Sequence, residues 1–114
     1  MNPCIFCQIV NGQVRGQIVY EDDAIVAFRD INPKAPVHLL VVPRKHVATL
    51  LDLESTDEQV IGHIFTVSAR LARDHGLAKD GYRMVVNCGP GAGQSVYHVH
   101  FHLLGGRPFV WPPG

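Results

Sequence analysis

Val96-Tyr97-His98-Val99-His100-Phe101-His102-Leu103-Leu104 alternates two kinds of residue from His98 onward. Side chains along a strand point to opposite faces with a period of two. Val99, Phe101 and Leu103 therefore share one face, and the pattern predicts a strand over 96–104 anchored in a core. His98, His100, His102 and Leu104 share the other face, and Gly105-Gly106 closes the strand. Each imidazole has ring nitrogens that need partners, so three in a row make poor core filling. Three readings remain: a half-exposed polar face, a His-x-His metal site, or nucleophilic and acid–base catalysis by rings matched to neutral pH.

The loop before this strand runs from Cys88 to Ser95 and carries Gly89, Gly91 and Gly93. Such glycines let backbone amides turn toward an anion, and Ser95 adds a hydroxyl donor. A hairpin loop of this composition equally needs no ligand. No Lys-Ser/Thr pair follows the last glycine, and the loop leads into a strand rather than a helix, which excludes the P-loop and the dinucleotide-binding turn. An anion cradle beside an imidazole ladder suggests attack by a histidine nitrogen on phosphorus.

Further out, Cys4 to Val10 reads as a short helix stopped by Asn11-Gly12. Ile18–Tyr20 and Ala24–Phe28 read as a hairpin around Glu21-Asp22-Asp23. A Pro-containing loop leads to Val37–Val42, apolar on both faces and therefore central, and Pro43 ends it. Ser55 with Glu58, and Thr56 with Gln59, have capping-box spacing. Val60, Ile64, Val67 and Leu71 then recur at helical spacing, with Ile61, Phe65, Ser68 and Ala72 on an adjoining stripe, and Gly76 is a C-terminal stop. Arg83–Asn87 is a fourth strand. Helix, hairpin, strand, long helix and two strands predict an α+β domain with a mainly antiparallel sheet.

A chain of 114 residues, 46% hydrophobic and 18% charged, is one domain, 1–114, with enough apolar side chains for a buried core. Ten basic and ten acidic residues give zero formal net charge, so no net positive field steers nucleic acid. No apolar run approaches the roughly 20 residues of a membrane helix. The N-terminus lacks the pattern of a signal peptide, and the expected compartment is cytoplasmic. Three cysteines do not make a disulfide scaffold; Cys4 and Cys7 read as core filler, a redox pair or metal ligands. His75 suits a helix C-terminus, His63 reads as solvated, and neither carries a function. Cys88 reads as a bystander.

His98-Val99-His100-Phe101-His102-Leu103-Leu104 resembles the signature of the histidine-triad (HIT) superfamily. Tyr20-Glu21-Asp22-Asp23, the run Phe28 to His38, Gly81 to Asn87, Gly93-Gln94-Ser95 and Trp111-Pro112-Pro113-Gly114 extend the likeness to its histidine-triad nucleotide-binding branch. The resemblance implies a five-stranded antiparallel sheet with two helices, paired across a two-fold axis into the ten-stranded sheet of a homodimer. The strand Arg83–Asn87 and the long helix are the expected interface. It also implies a purine nucleoside phosphoramidase that cleaves a P–N bond and releases AMP or its analogue through a nucleotidyl-histidine.

By that likeness His100 is the nucleophile. His102 contacts the phosphate and helps to protonate the leaving amine, and Ser95 lies near the bridging nitrogen or the phosphate. Asn87, Gly93 and Gln94 neighbour phosphate and ribose, Asp30 and Ile31 contact ribose and base, and His38 faces the site. Trp111 lies near the partner's site. In members with an N-terminal Cys-x-x-Cys, the positions of Cys4, Cys7, His46 and His98 bind a structural zinc that the catalysis does not require. Three rivals are a dinucleoside polyphosphate hydrolase or nucleotidyltransferase of the same superfamily, a nucleotide-binding scaffold, and a catalytic metal on the histidine strand. The Gln94-Ser95 pair and the Trp-Pro-Pro-Gly end weigh against the first.

Overall fold

Val37–Pro43 (β3) is buried at every position but Val37, and a strand apolar on both faces belongs in the middle of a sheet. It lies third of five. The computed structural model describes residues 3–114. They form α1 (Ile5–Val10), β1 (Ile18–Glu21), β2 (Ile25–Arg29), β3, α2 (Glu58–Asp74), β4 (Tyr82–Val86) and β5 (Phe101–Gly105). The sheet order is β1-β2-β3-β5-β4, and every neighbouring pair is antiparallel. This is the α+β architecture that the residue patterns imply.

Strand alternation separates two cores. Ile25, Ala27, Leu39, Val41, Phe101 and Leu103 meet Ile64, Val67, Leu71 and Ala72 of α2. On the opposite face Val26, Phe28, Leu40 and Val42 meet Phe6 and Ile9 of α1. Helix α1 has six residues, too few to hold a helix alone, so its place depends on those contacts. It covers only part of its face and leaves the rest open beside His38, His100 and His102.

Three local expectations need correction. The predicted fifth strand over 96–104 joins the sheet only at Phe101, which pairs with Val41 on one side and Val86 on the other. β4 stops there at Val86, while β3 runs on to Pro43 paired only with β2. The Val99 amide instead donates to Val47 O at 2.7 Å. Even so, Val99 stays buried with Phe101 and Leu103, so the inferred face holds.

Neither Ser55 nor Thr56 caps α2. A 3-10 turn, Ser55–Asp57, precedes the helix, and the Glu54 amide donates to Asp57 Oδ2 at 2.9 Å. Lys45 Nζ reaches the other oxygen of that carboxylate at 2.8 Å. His63 is not simply solvated, since its Nε2 lies 2.6 Å from Asp22 Oδ2. At the far end of α2, His75 Nδ1 lies 2.8 Å from Leu71 O, and Gly76 takes the left-handed conformation (φ 75°) that stops the helix. Among the described residues no helix is long and apolar enough to cross a membrane.

Candidate active site

The uncovered part of the α1 face is a cleft of about 1060 Å³, at the upper end of the range for small-molecule sites. α1 supplies an apolar wall, Ile5, Phe6 and Ile9. The sheet contributes Phe28 and Leu40 beside His38 and His102, since His38 and Leu40 share one face of β3 and Leu40 pairs with His102, and His100, Asp30 and Ser95 also line the cleft. Such a lining suits a molecule with a flat apolar part and an anionic part.

Backbone partners assign the ring protons. His100 Nδ1 lies 2.9 Å from His98 O, so it donates, and Nε2 keeps its lone pair. The ring packs edge-on to Phe6, with centroids 5.0 Å apart, and to His102 at the same separation. His98 is fully buried and does not face the cleft. Its Nε2 donates to Pro43 O at 2.7 Å, which leaves Nδ1 unprotonated. His38 Nδ1 accepts from the Lys34 amide at 3.0 Å. His38 Nε2 stands 2.9 Å from His102 Nδ1 and 3.4 Å from Asp30 Oδ2.

Burial pushes the pKa of His38 down, the nearby Lys34 adds to this, and Asp30 opposes it. Burial also lowers His98, against the Pro43 carbonyl and with the help of His46 and His100. His102 is pushed down to about 4 by burial and by the neighbouring His100 and His38, with Asp30 opposing. His102 is therefore neutral at pH 7.

The glycine-rich loop is not an open cradle of amides. The amides of Ala92 and Gln94 donate to Gly89 O, and that of Gly93 to Pro90 O. The Gly89 amide donates to Gln94 Oε1 at 2.9 Å, and Gln94 Nε2 donates to Ala48 O and Val96 O. Gln94 is buried, and its side chain braces the loop instead of facing the cleft. The residue of this loop that lines the cleft is Ser95. Of the residues marked out in the sequence, Asp30, Ile31, His38, Ser95, His100 and His102 line the cleft. Asn87, Gly93, Gln94 and Trp111 do not, and Trp111 is 82% exposed.

The apolar wall was missing from the sequence-based candidate residues. The spacing of Ile5, Phe6 and Ile9 on one short helix was its only trace, and it cannot be told from ordinary core packing. The Lys34 amide left no trace, because any residue except proline supplies one.

Cys4, Cys7, His46 and His98 form a second cluster behind the cleft. Cys4 Sγ and Cys7 Sγ lie 3.5 and 3.4 Å from His98 Nδ1. Cys7 Sγ is 3.3 Å from His46 Nδ1, and the two Nδ1 atoms are 3.2 Å apart. A tetrahedral zinc with ordinary Zn–S and Zn–N lengths has S···N edges of about 3.6 Å and N···N edges of about 3.3 Å. The residues fit zinc in donor type, edge length and protonation, since the Pro43 carbonyl turns the His98 lone pair toward the thiols. Asp30, His38 and His102 also lie close enough together to meet at one metal ion.

Residues 11–109 match the family model of the HIT domain, and the chain belongs to the HIT family. An uncharacterised HIT-like protein of Synechococcus elongatus is 47% identical over 110 residues, 96% of each chain. The purine nucleoside phosphoramidase of Escherichia coli K12 is 46% identical over 104 residues, 91% of this chain and 87% of its own. The crystal structure of a HIT family hydrolase from Legionella pneumophila superposes with a TM-score of 0.95 at 49% identity, covering 97% of this chain and 99% of that one.

Proposed function

We propose that this HIT-family hydrolase cleaves the P–N bond of purine nucleoside 5'-phosphoramidates through a nucleotidyl-His100 intermediate. The observation that carries the proposal is the tautomer of His100. Its Nδ1–H is spent on its own chain's carbonyl, so the Nε2 lone pair is left for the cleft. The phosphoramidase of Escherichia coli, similar over 91% of this chain, supports the choice of substrate.

The base packs against Phe6 and Ile9 of α1 and Phe28 of the sheet, and the Asp30 carboxylate accepts from the ribose hydroxyls. His100 Nε2 attacks phosphorus, the new N–P bond forms, and the P–N bond to the amine breaks. The amine leaves with a proton taken from water, while His102 Nε2–H and the Ser95 hydroxyl are donors to the phosphoryl oxygens; the water of the second step returns that proton to solvent. Water then attacks phosphorus, frees His100 and releases the nucleoside monophosphate. Two displacements replace one harder one. The ring turns cationic on attack while its Nδ1–H stays bonded to His98 O, a fixed dipole placed where charge develops. This chemistry uses no metal at phosphorus.

A zinc ion held by Cys4, Cys7, His46 and His98 has four protein donors and no open position, so it supplies stability and not catalysis. The free edge of β4 pairs with a second copy across a two-fold axis, as an open edge strand requires cover. A solution mass near 12.6 kDa would refute that pairing.

The deciding experiment incubates the protein with adenosine 5'-monophosphoramidate and, separately, with diadenosine polyphosphates. AMP from the first substrate, a trapped nucleotidyl group on His100, and no turnover by His100→Ala are expected. Preferential cleavage of the polyphosphate would move the protein to that branch. Nucleotide binding without turnover of either would make it a scaffold.

A further inference from the structure

We infer that His38 is a positioning residue that sets the tautomer of His102, so that a ring N–H and not a lone pair faces the phosphoryl group. The inference about rate rests on the reaction proposed above; the inference about the tautomer does not.

The chain of constraint begins at a backbone amide, whose donor character is fixed. Lys34 N–H points at His38 Nδ1 from 3.0 Å, so that nitrogen carries no proton. The amide is braced from several sides. Arg107 Nε donates to Lys34 O at 3.0 Å. The Asn32 amide donates to Asp30 Oδ1 at 2.7 Å, and the Asp30 amide donates to His38 O at 3.0 Å. A neutral His38 must then hold its proton on Nε2.

Independent geometry at the other end of the ring agrees. The Asp30 carboxylate, an acceptor, faces Nε2 from 3.4 Å, and His102 Nδ1 stands 2.9 Å from the same Nε2–H. His102 therefore receives at Nδ1 and, being neutral, carries its proton on Nε2. That nitrogen is the one left for the cleft.

Removing His38 would change more than packing. Asp30 would then be the charged group near His102 Nδ1, and a carboxylate draws a proton toward itself. The ring would take a proton at Nδ1 and turn a lone pair to the phosphoryl oxygens, or become charged outright. His38 thus insulates His102 from Asp30 while relaying the orientation of the Lys34 amide. The same three residues could instead share a metal ion, an arrangement in which the nitrogens would face the metal as lone pairs.

The test is a 15N spectrum of the histidine rings in the substrate-free protein, read beside kcat and KM for His38→Leu and His38→Gln. In the native protein His102 should show a bare Nδ1 and a protonated Nε2. His38→Leu should gain a proton at Nδ1 and lose about ten- to a hundredfold in kcat, part of the effect of removing one preorganised donor, with a smaller change in KM. His38→Gln, whose amide can donate to Nδ1, should keep the native tautomer and recover most of kcat.

A native His102 protonated at Nδ1 would overturn the inference. So would a folded His38→Leu with an unchanged tautomer and rate, or a folded His38→Gln no better than His38→Leu. Zinc-dependent shifts confined to His38 and His102 would overturn it in favour of a metal. Because the spectrum needs no substrate, it stands whether or not the phosphoramidase assignment does.

Discussion

Zinc should raise the melting temperature in proportion to the logarithm of its concentration, and the slope can be worked out. A ligand that binds only the folded chain stabilises it by RT ln(1 + [L]/Kd), about 1.4 kcal/mol per tenfold and about 4.1 kcal/mol at a thousand times Kd. Unfolding entropy near 60 °C is about 2.1 cal/mol/K per residue, so 114 residues give about 0.24 kcal/mol/K. Each tenfold rise in free zinc above Kd should then lift Tm by about 6 °C, and less if the unfolded thiols also bind.

The loss on chelation should begin in α1. That helix is tied down by Phe6 and Ile9 on one side and by Cys4 and Cys7 facing His98 on the other. The amides of Gln8 and Asn11, which donate to Cys4 O and Cys7 O, should exchange faster after chelation, while those of α2 do not. Differential scanning fluorimetry across a zinc series, repeated on Cys4→Ser/Cys7→Ser, supplies the slope, and hydrogen exchange locates the loss. A flat Tm in the native protein, or an equal slope in the double variant, would refute the site.

Other consequences concern stability. Asp22 accepts from Tyr20 Oη, His63 Nε2 and the Ala24 and Ile25 amides. Burial pushes its carboxyl up, but these bonds together outweigh it and hold it well below the usual carboxylate range. A carboxyl lowered on folding contributes stability above its unfolded pKa, near 4, and loses it as pH falls toward the folded value. Asp22→Asn should cost about 1–3 kcal/mol at pH 7 and progressively less below pH 4, as urea titrations across pH would show. Ser68 Oγ is buried in α2 without a hydrogen-bond partner; Ser68→Ala should stabilise by about 1 kcal/mol, and a lower midpoint in urea would contradict this. A Cβ at Gly105 would meet three atoms of the buried Leu77 side chain at 2.5–3.1 Å, so Gly105→Ala should lower stability by about 1–3 kcal/mol, read from the same titrations.

What the chain alone determined is what period and residue type carry. The alternation from Val99 to Leu103 assigned the faces of the last strand, the 3.6-residue spacing from Val60 to Leu71 located α2, and the doubly apolar Val37–Val42 marked the central strand. These are local backbone properties, visible within a few residues. Cys4, Cys7, His46 and His98 could be grouped only through the family likeness, since the thiol of Cys4 and the ring of His98 stand 94 positions apart. Tertiary structure decided where β5 enters the sheet, because β4 ends at Val86 and the Val99 amide is drawn to Val47 O instead of pairing with β3. It also closed the glycine loop around Gln94 and set α1 as a wall of the cleft. Above all it decided the protons. Each ring's tautomer follows from the donor or acceptor that meets its other nitrogen: Lys34 N for His38, His38 for His102 from 64 positions away, and Pro43 O for His98 from 55. Imidazole offers both tautomers at small cost, so its own sequence neighbours leave the choice open, and the folded backbone makes it.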